Sequence, residues 1–135
     1  MVFLEEGTYE NSRSDDQLLS MEGSSAVIGR FGGVEEWQLK NSDGTVSLRD
    51  TKSQSYLSSA DSENPYHQPI QLGEEQHWRL TEGESPGKVF IEHPSPEEDG
   101  TIYVIDIGPL RIFPPRLNLM RKEGPHQAWL FKRIN

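Results

Sequence analysis

The chain has 135 residues, with 22 acidic against 13 basic side chains, a net charge of −9 and no cysteine. That length suits about one domain, large enough to bury roughly two thirds of its unfolded surface without disulfides, while the charge disfavours phosphate backbones and anionic lipid as partners. No run approaches the ~18 apolar residues of a membrane span, and Met1–Gly7 has neither the basic nor the apolar region of a signal peptide, so a cytoplasmic protein without membrane insertion is expected.

Along the chain, apolar positions alternate over short stretches and turn-forming residues interrupt every 8 to 12 residues or so, the signature of half-buried strands joined by turns. From Gly7 the first unit predicts strands at 8–12, 17–21, 25–30 and 35–40 and reaches Trp37. Asn41-Ser42-Asp43-Gly44 supplies a turn in which a positive φ falls on glycine, and a second unit follows with strands at 45–50, 55–59, 68–72 and 77–81, reaching Trp78. After Glu84-Ser85-Pro86-Gly87 a third unit predicts strands at 88–92, 101–106, 116–120 and 128–134, reaching Trp129. A repeat of this length marks an array of equivalent units. Twelve strands in three pseudo-symmetric repeats, at about 7–43, 44–86 and 87–135 of a single domain spanning 1–135, predict an all-β chain with the β-trefoil fold. Trp37, Trp78 and Trp129 are read as core residues.

The tryptophan contexts carry a family resemblance. Gln76-His77-Trp78 and Gln127-Ala128-Trp129 match the Gln-x-Trp signature of ricin-type trefoils, and Glu35-Glu36-Trp37 nearly does. The opening Leu4-Glu5-Glu6-Gly7-Thr8-Tyr9 resembles the start of mushroom trefoil proteins: cytosolic lectins, mycocypin cysteine-protease inhibitors and cospin-type serine-protease inhibitors.

Ricin-type sugar sites would imply an acidic residue on the second strand of a unit and an aromatic ring on or just after the third. The second-strand positions read Ser20, Ser58 and Ile105, with Asp106 beside the last, and of the residues after the third strands only Phe31 is a ring. No unit holds the complete pair. A separate carbohydrate surface is suggested by Asn64-Pro65-Tyr66-His67-Gln68, where amides, a phenol and an imidazole fall within one loop.

Protease inhibition would instead use a rigid exposed loop. Gly108–Arg116 holds three prolines around Leu110-Arg111-Ile112-Phe113, with Arg111 suited to a trypsin-like primary pocket and Ile112 adding apolar contact; the same alternation also fits an added barrel strand. Arg13, in the first hairpin, is a second candidate. Cospin-type inhibitors use the loop between the second and third strands, here Glu22-Gly23-Ser24-Ser25, which has no cation; the mycocypin resemblance would imply instead a glycine wedge at Gly23 that enters a narrow papain-like cleft. The four histidines have no metal-ligand spacing, and no nucleophile, phosphate or dinucleotide motif is present. A non-enzymatic binding protein without cofactor or metal is therefore expected, its partner a protease or, alternatively, a glycan bound as by a fungal ricin-type lectin.

Overall fold

A computed structural model describes residues 4–14, 17–29 and 35–134. Twelve strands follow in chain order: β1 Gly7–Ser14, β2 Gln17–Glu22, β3 Ser25–Gly29, β4 Trp37–Ser42, β5 Thr45–Asp50, β6 Tyr56–Ser59, β7 Ile70–Gly73, β8 Arg79–Glu82, β9 Lys88–Glu92, β10 Tyr103–Ile107, β11 Leu117–Arg121 and β12 Trp129–Arg133. One 3-10 turn that the sequence pattern did not reveal, Pro125–Gln127, precedes β12. Among the described residues no helix is long and apolar enough to cross a membrane.

Pairing closes the strands into two layers. β1 pairs with β4, β4 with β5, β8 with β9, β9 with β12 and β12 with β1, while the Val46↔Trp78 bridge joins β5 to β8, completing a six-stranded barrel. The other six strands form the hairpins β2–β3, β6–β7 and β10–β11. These hairpins meet one another through Ser25↔Gln71, Pro69↔Asn118 and Val27↔Arg116, one bridge per pair, and so form a threefold cap. A closed barrel of this kind leaves no strand edge in the barrel layer open to a further strand. This is the β-trefoil.

Local chemistry explains the turns and the interior. At the β4–β5 hairpin, Asp43 (φ 49°) and Gly44 (φ 80°) both lie in the left-handed region, which an Asp-Gly pair occupies at little cost and which matches the twist of the strands. Alternate residues along each strand point inward, so Leu19, Leu39, Leu48, Leu57, Leu80, Ile91, Ile105 and Leu119 join the three tryptophans in one core. Trp37, Trp78 and Trp129 are each fully buried. The Trp78 and Trp129 indoles donate to the carbonyls of Leu57 and Ile105, each at 3.0 Å.

The repeats differ at one set of equivalent positions. Six residues after each repeat glycine stand Arg13, Asp50 and His93, beside Trp129, Trp37 and Trp78 respectively. Two residues before each tryptophan stand Gln127, Glu35 and Gln76. Around Trp37 this places two carboxylates together, Glu35 from the first repeat and Asp50 from the second. Burial, and then the facing Asp50 carboxylate, raise the Glu35 pKa above its ordinary 4.5, with Lys52 opposing. Burial pushes Asp50 upward too, but hydrogen bonds from Glu35, Ser53 and Lys52 outweigh it and leave Asp50 below its ordinary 3.8. A raised folded pKa means that the stability Glu35 contributes is complete below its unfolded value and is lost as pH rises through the folded one. Glu35→Gln puts the amide of the other repeats in its place. It is expected to raise the melting temperature near neutral pH, with the advantage shrinking as pH falls toward about 4. Calorimetry over that range checks this, and an advantage that grows toward acid would refute it.

Candidate functional site

The longest link between a β6-type and a β7-type strand, residues 60–69, folds over the neighbouring repeat. Its backbone is tied to β11: Leu119 N–H donates to the Gln68 carbonyl at 2.8 Å, and Asn118 Nδ2 to the His67 carbonyl at 3.3 Å. Asn64 Oδ1 accepts from the Tyr66 N–H at 2.9 Å and shapes the turn. His67 is held at φ 46°, a left-handed conformation that costs a non-glycine residue about 1–2 kcal/mol. Strain of this sort persists where surrounding contacts over-determine the backbone, and it gathers at ligand sites.

The result is a ring platform. Tyr66 and His67 stack with centroids 4.2 Å apart, and both meet the buried Tyr103 edge-on at 5.9 and 6.0 Å. Burial, then the nearby Glu97, hold the Tyr103 phenol above its ordinary pKa of 10.0, so it stays neutral. Tyr66 remains 52% exposed. Beneath the platform lies a cleft of about 250 Å³ lined by Tyr66, His67, Asp106, Met120, Arg121, Glu123 and Gln127.

Asp106 is clamped from two sides. The Arg13 guanidinium, from β1, pairs with Oδ1, and Gln127 Nε2 donates to Oδ2 at 3.0 Å. Gln127 also donates to the Arg121 carbonyl at 2.9 Å and accepts from the Glu123 and Gly124 N–H groups, which fixes the far wall. A carboxylate has about four acceptor sites, so one donor on each oxygen leaves further lone pairs for ligand hydroxyls.

Several sequence expectations are relocated by these contacts. The register Ser58↔Gln71 and Asp106↔Asn118, with the matching indole bonds to Leu57 and Ile105, sets Asp106 rather than Ile105 at the position of Ser58. The third repeat therefore holds the acidic residue, and its rings come from the second. Asn64 shapes the loop but does not line the cleft. Phe31 lies outside the described residues. Arg13 is not a free loop tip: its side chain is 9% exposed, and its Nε and Nη2 donate to the His126 carbonyl. Gly23 sits at an exposed β2–β3 turn with φ 62°. Residues 108–116 add no barrel strand; Leu110, Ile112 and Phe113 are 67%, 43% and 86% exposed, and Arg111 is exposed beside them. The pairing of Asp106 with Arg13, 93 residues away, had no local signal.

No family model matches the sequence, and no curated relative matches it. Solved structures do match in fold. A ricin B-like lectin from Macrolepiota procera, solved with lactose, superposes with a TM-score of 0.79 at 18% identity, over 98% of this chain and 100% of that one. The Rhizoctonia solani agglutinin gives 0.72 at 18% identity over 99% of each chain. The designed threefold-symmetric protein ThreeFoil gives 0.69 at 17% identity, over 95% of this chain and 99% of its own.

Proposed function

We propose that this β-trefoil is a carbohydrate-binding protein whose glycan seat is the cleft between the second and third repeats. The observation that carries it is the stacked Tyr66–His67 pair standing over the clamped Asp106 carboxylate. Hydroxyls of a sugar donate to the carboxylate in charge-assisted bonds, while the apolar face of the ring rests on the exposed phenol. The cleft is smaller than the ~300–1,000 Å³ of enclosed small-molecule sites, which suits one terminal sugar. Solved relatives in fold, one of them with lactose bound, support this reading. Tyr66→Ala is expected to weaken binding of a glycan-array hit by about tenfold or more, equal to about 1.4 kcal/mol, without changing the melting temperature. An empty array, or a hit indifferent to Tyr66→Ala, would overturn the assignment.

A second reading, protease inhibition, is supported by the exposed segment around Arg111. Its ends are fixed by the Gly108 N–H donating to the Arg116 carbonyl at 2.7 Å and the Ile28 N–H to the Pro115 carbonyl at 2.9 Å. A loop held this way loses little further freedom on binding. Inhibition of a trypsin-like enzyme abolished by Arg111→Ala and reduced by Ile112→Ala is the expected result; an enzyme unaffected by excess protein removes this reading.

A further inference from the structure

Half of the large exposed hydrophobics among the described residues gather in one place. Leu110, Ile112 and Phe113, three of six, project from the 108–116 loop around an exposed Arg111. Single exposed apolar side chains are ordinary, whereas a contiguous set marks a contact surface. The opposite end of the molecule offers a seat. At the β8–β9 turn lies a cleft of about 430 Å³, with Leu4, Pro86 and Val89 as apolar walls and the exposed Glu82 and Glu84 at its rim. That volume falls within the ~300–1,000 Å³ of sites that enclose a small group. The cation among its walls, Lys88, is engaged elsewhere, its Nζ donating to the Arg13 carbonyl at 3.1 Å.

The two surfaces match in charge as well as in polarity. No ion pair among the described residues involves Arg111, Glu82 or Glu84. Within one molecule they cannot meet, because β9 runs from the cleft up to the cap, where β10 and β11 carry the loop. At a net charge of −9, two copies repel over most of their surfaces. Seating the loop in the cleft sets an unpaired cation against two unpaired carboxylates and covers Leu110 and Phe113 with apolar walls. We infer that the 108–116 loop of one molecule seats in the β8–β9 cleft of a second copy. The contact is heterologous: each bound copy keeps a free loop or a free cleft, so assembly continues into rings or open chains. One loop in one cleft buries little area, which makes the association weak and dependent on concentration.

Sedimentation velocity from about 10 μM to about 1 mM protein, the range in which weak contacts become populated, tests this. The mean size is expected to rise with concentration, and the ¹⁵N–¹H NMR signals of residues 110–113 and 82–89 to shift together. Arg111→Glu alone, and Glu82→Lys with Glu84→Lys in one chain, should each weaken association by about tenfold or more. Mixing these two variants pairs a glutamate loop with a lysine cleft, while the other loop and the other cleft are native, so growth should return. Misfolded variants could not restore one another in this way. A protein that stays monomeric at the highest concentration, a symmetric dimer with both segments silent, or a mixture no larger than its components overturns the proposal. So does a loop that responds to a trypsin-like enzyme and never to protein concentration.

Discussion

Asp106→Ala is expected to lower the unfolding free energy by about 3–5 kcal/mol, because removing one partner of a buried ion pair strands the other. The Arg13 and Asp106 side chains are 9% and 12% exposed, so little solvent is available to take over. Without the carboxylate, the guanidinium keeps only the His126 carbonyl and its place 5.9 Å from the Trp129 ring, and Gln127 Nε2 loses one of its two acceptors. The penalty belongs to the uncompensated charge rather than to the net worth of the pair. The double variant Arg13→Met, Asp106→Leu should therefore recover most of it. Urea unfolding of the two single variants and the double measures the coupling. A single-variant loss below about 1 kcal/mol, or a double variant no better than Asp106→Ala, would show that the clamp is not what holds this region.

Asn11→Leu is expected to act in the opposite direction, stabilising the protein by about 1–3 kcal/mol. Asn11 is fully buried in β1 opposite Phe131, four residues after the repeat glycine, where the other repeats place the equally buried Leu48 and Ile91. Neither its Oδ1 nor its Nδ2 finds a partner among the described residues. A desolvated amide with both ends unpaired costs more than an apolar side chain of similar volume, and the equivalent positions accept such a chain. Thermal and urea denaturation of Asn11→Leu check this; a lower midpoint would mean that the amide has a role the unpaired atoms conceal.

The fold was legible because each strand carries its own period-two pattern and because Gly and Trp recur at matching points. Those are local signals, and they placed all twelve strands within a few residues. The start of β4 at Trp37 rather than residue 35 is one shift, and that of β8 at Arg79 rather than residue 77 another. The candidate site was legible only in pieces. Tyr66 and His67 stood out as a loop rich in chemistry, and Asp106 as an acid beside a second-strand position. Nothing in the sequence joined them, since the link runs through Asn118, Leu119 and Gln68 across two repeats. Arg13 was misplaced for the same reason: beside Ser12 and Ser14 it looks like a turn cation, and only the barrel closure brings it to Asp106. Gln76 and Gln127 share one motif, yet their environments differ because a serine and an aspartate separate them.

The seam between β12 and β1 has a consequence for biogenesis. The barrel layer is completed by Tyr9↔Arg133 through Ser12↔Leu130, and the Ile134 N–H donates to the Thr8 carbonyl at 2.8 Å. A nascent chain on the ribosome cannot form these bonds until the last of these residues leaves the exit tunnel. Until then β1 and β9 each show a raw flank to the solvent, the kind of surface that recruits stray strands. Closure between such distant segments is also slow. This architecture thus makes safe maturation wait on the emergence of β12, and a chain truncated before Trp129 should collect in inclusion bodies.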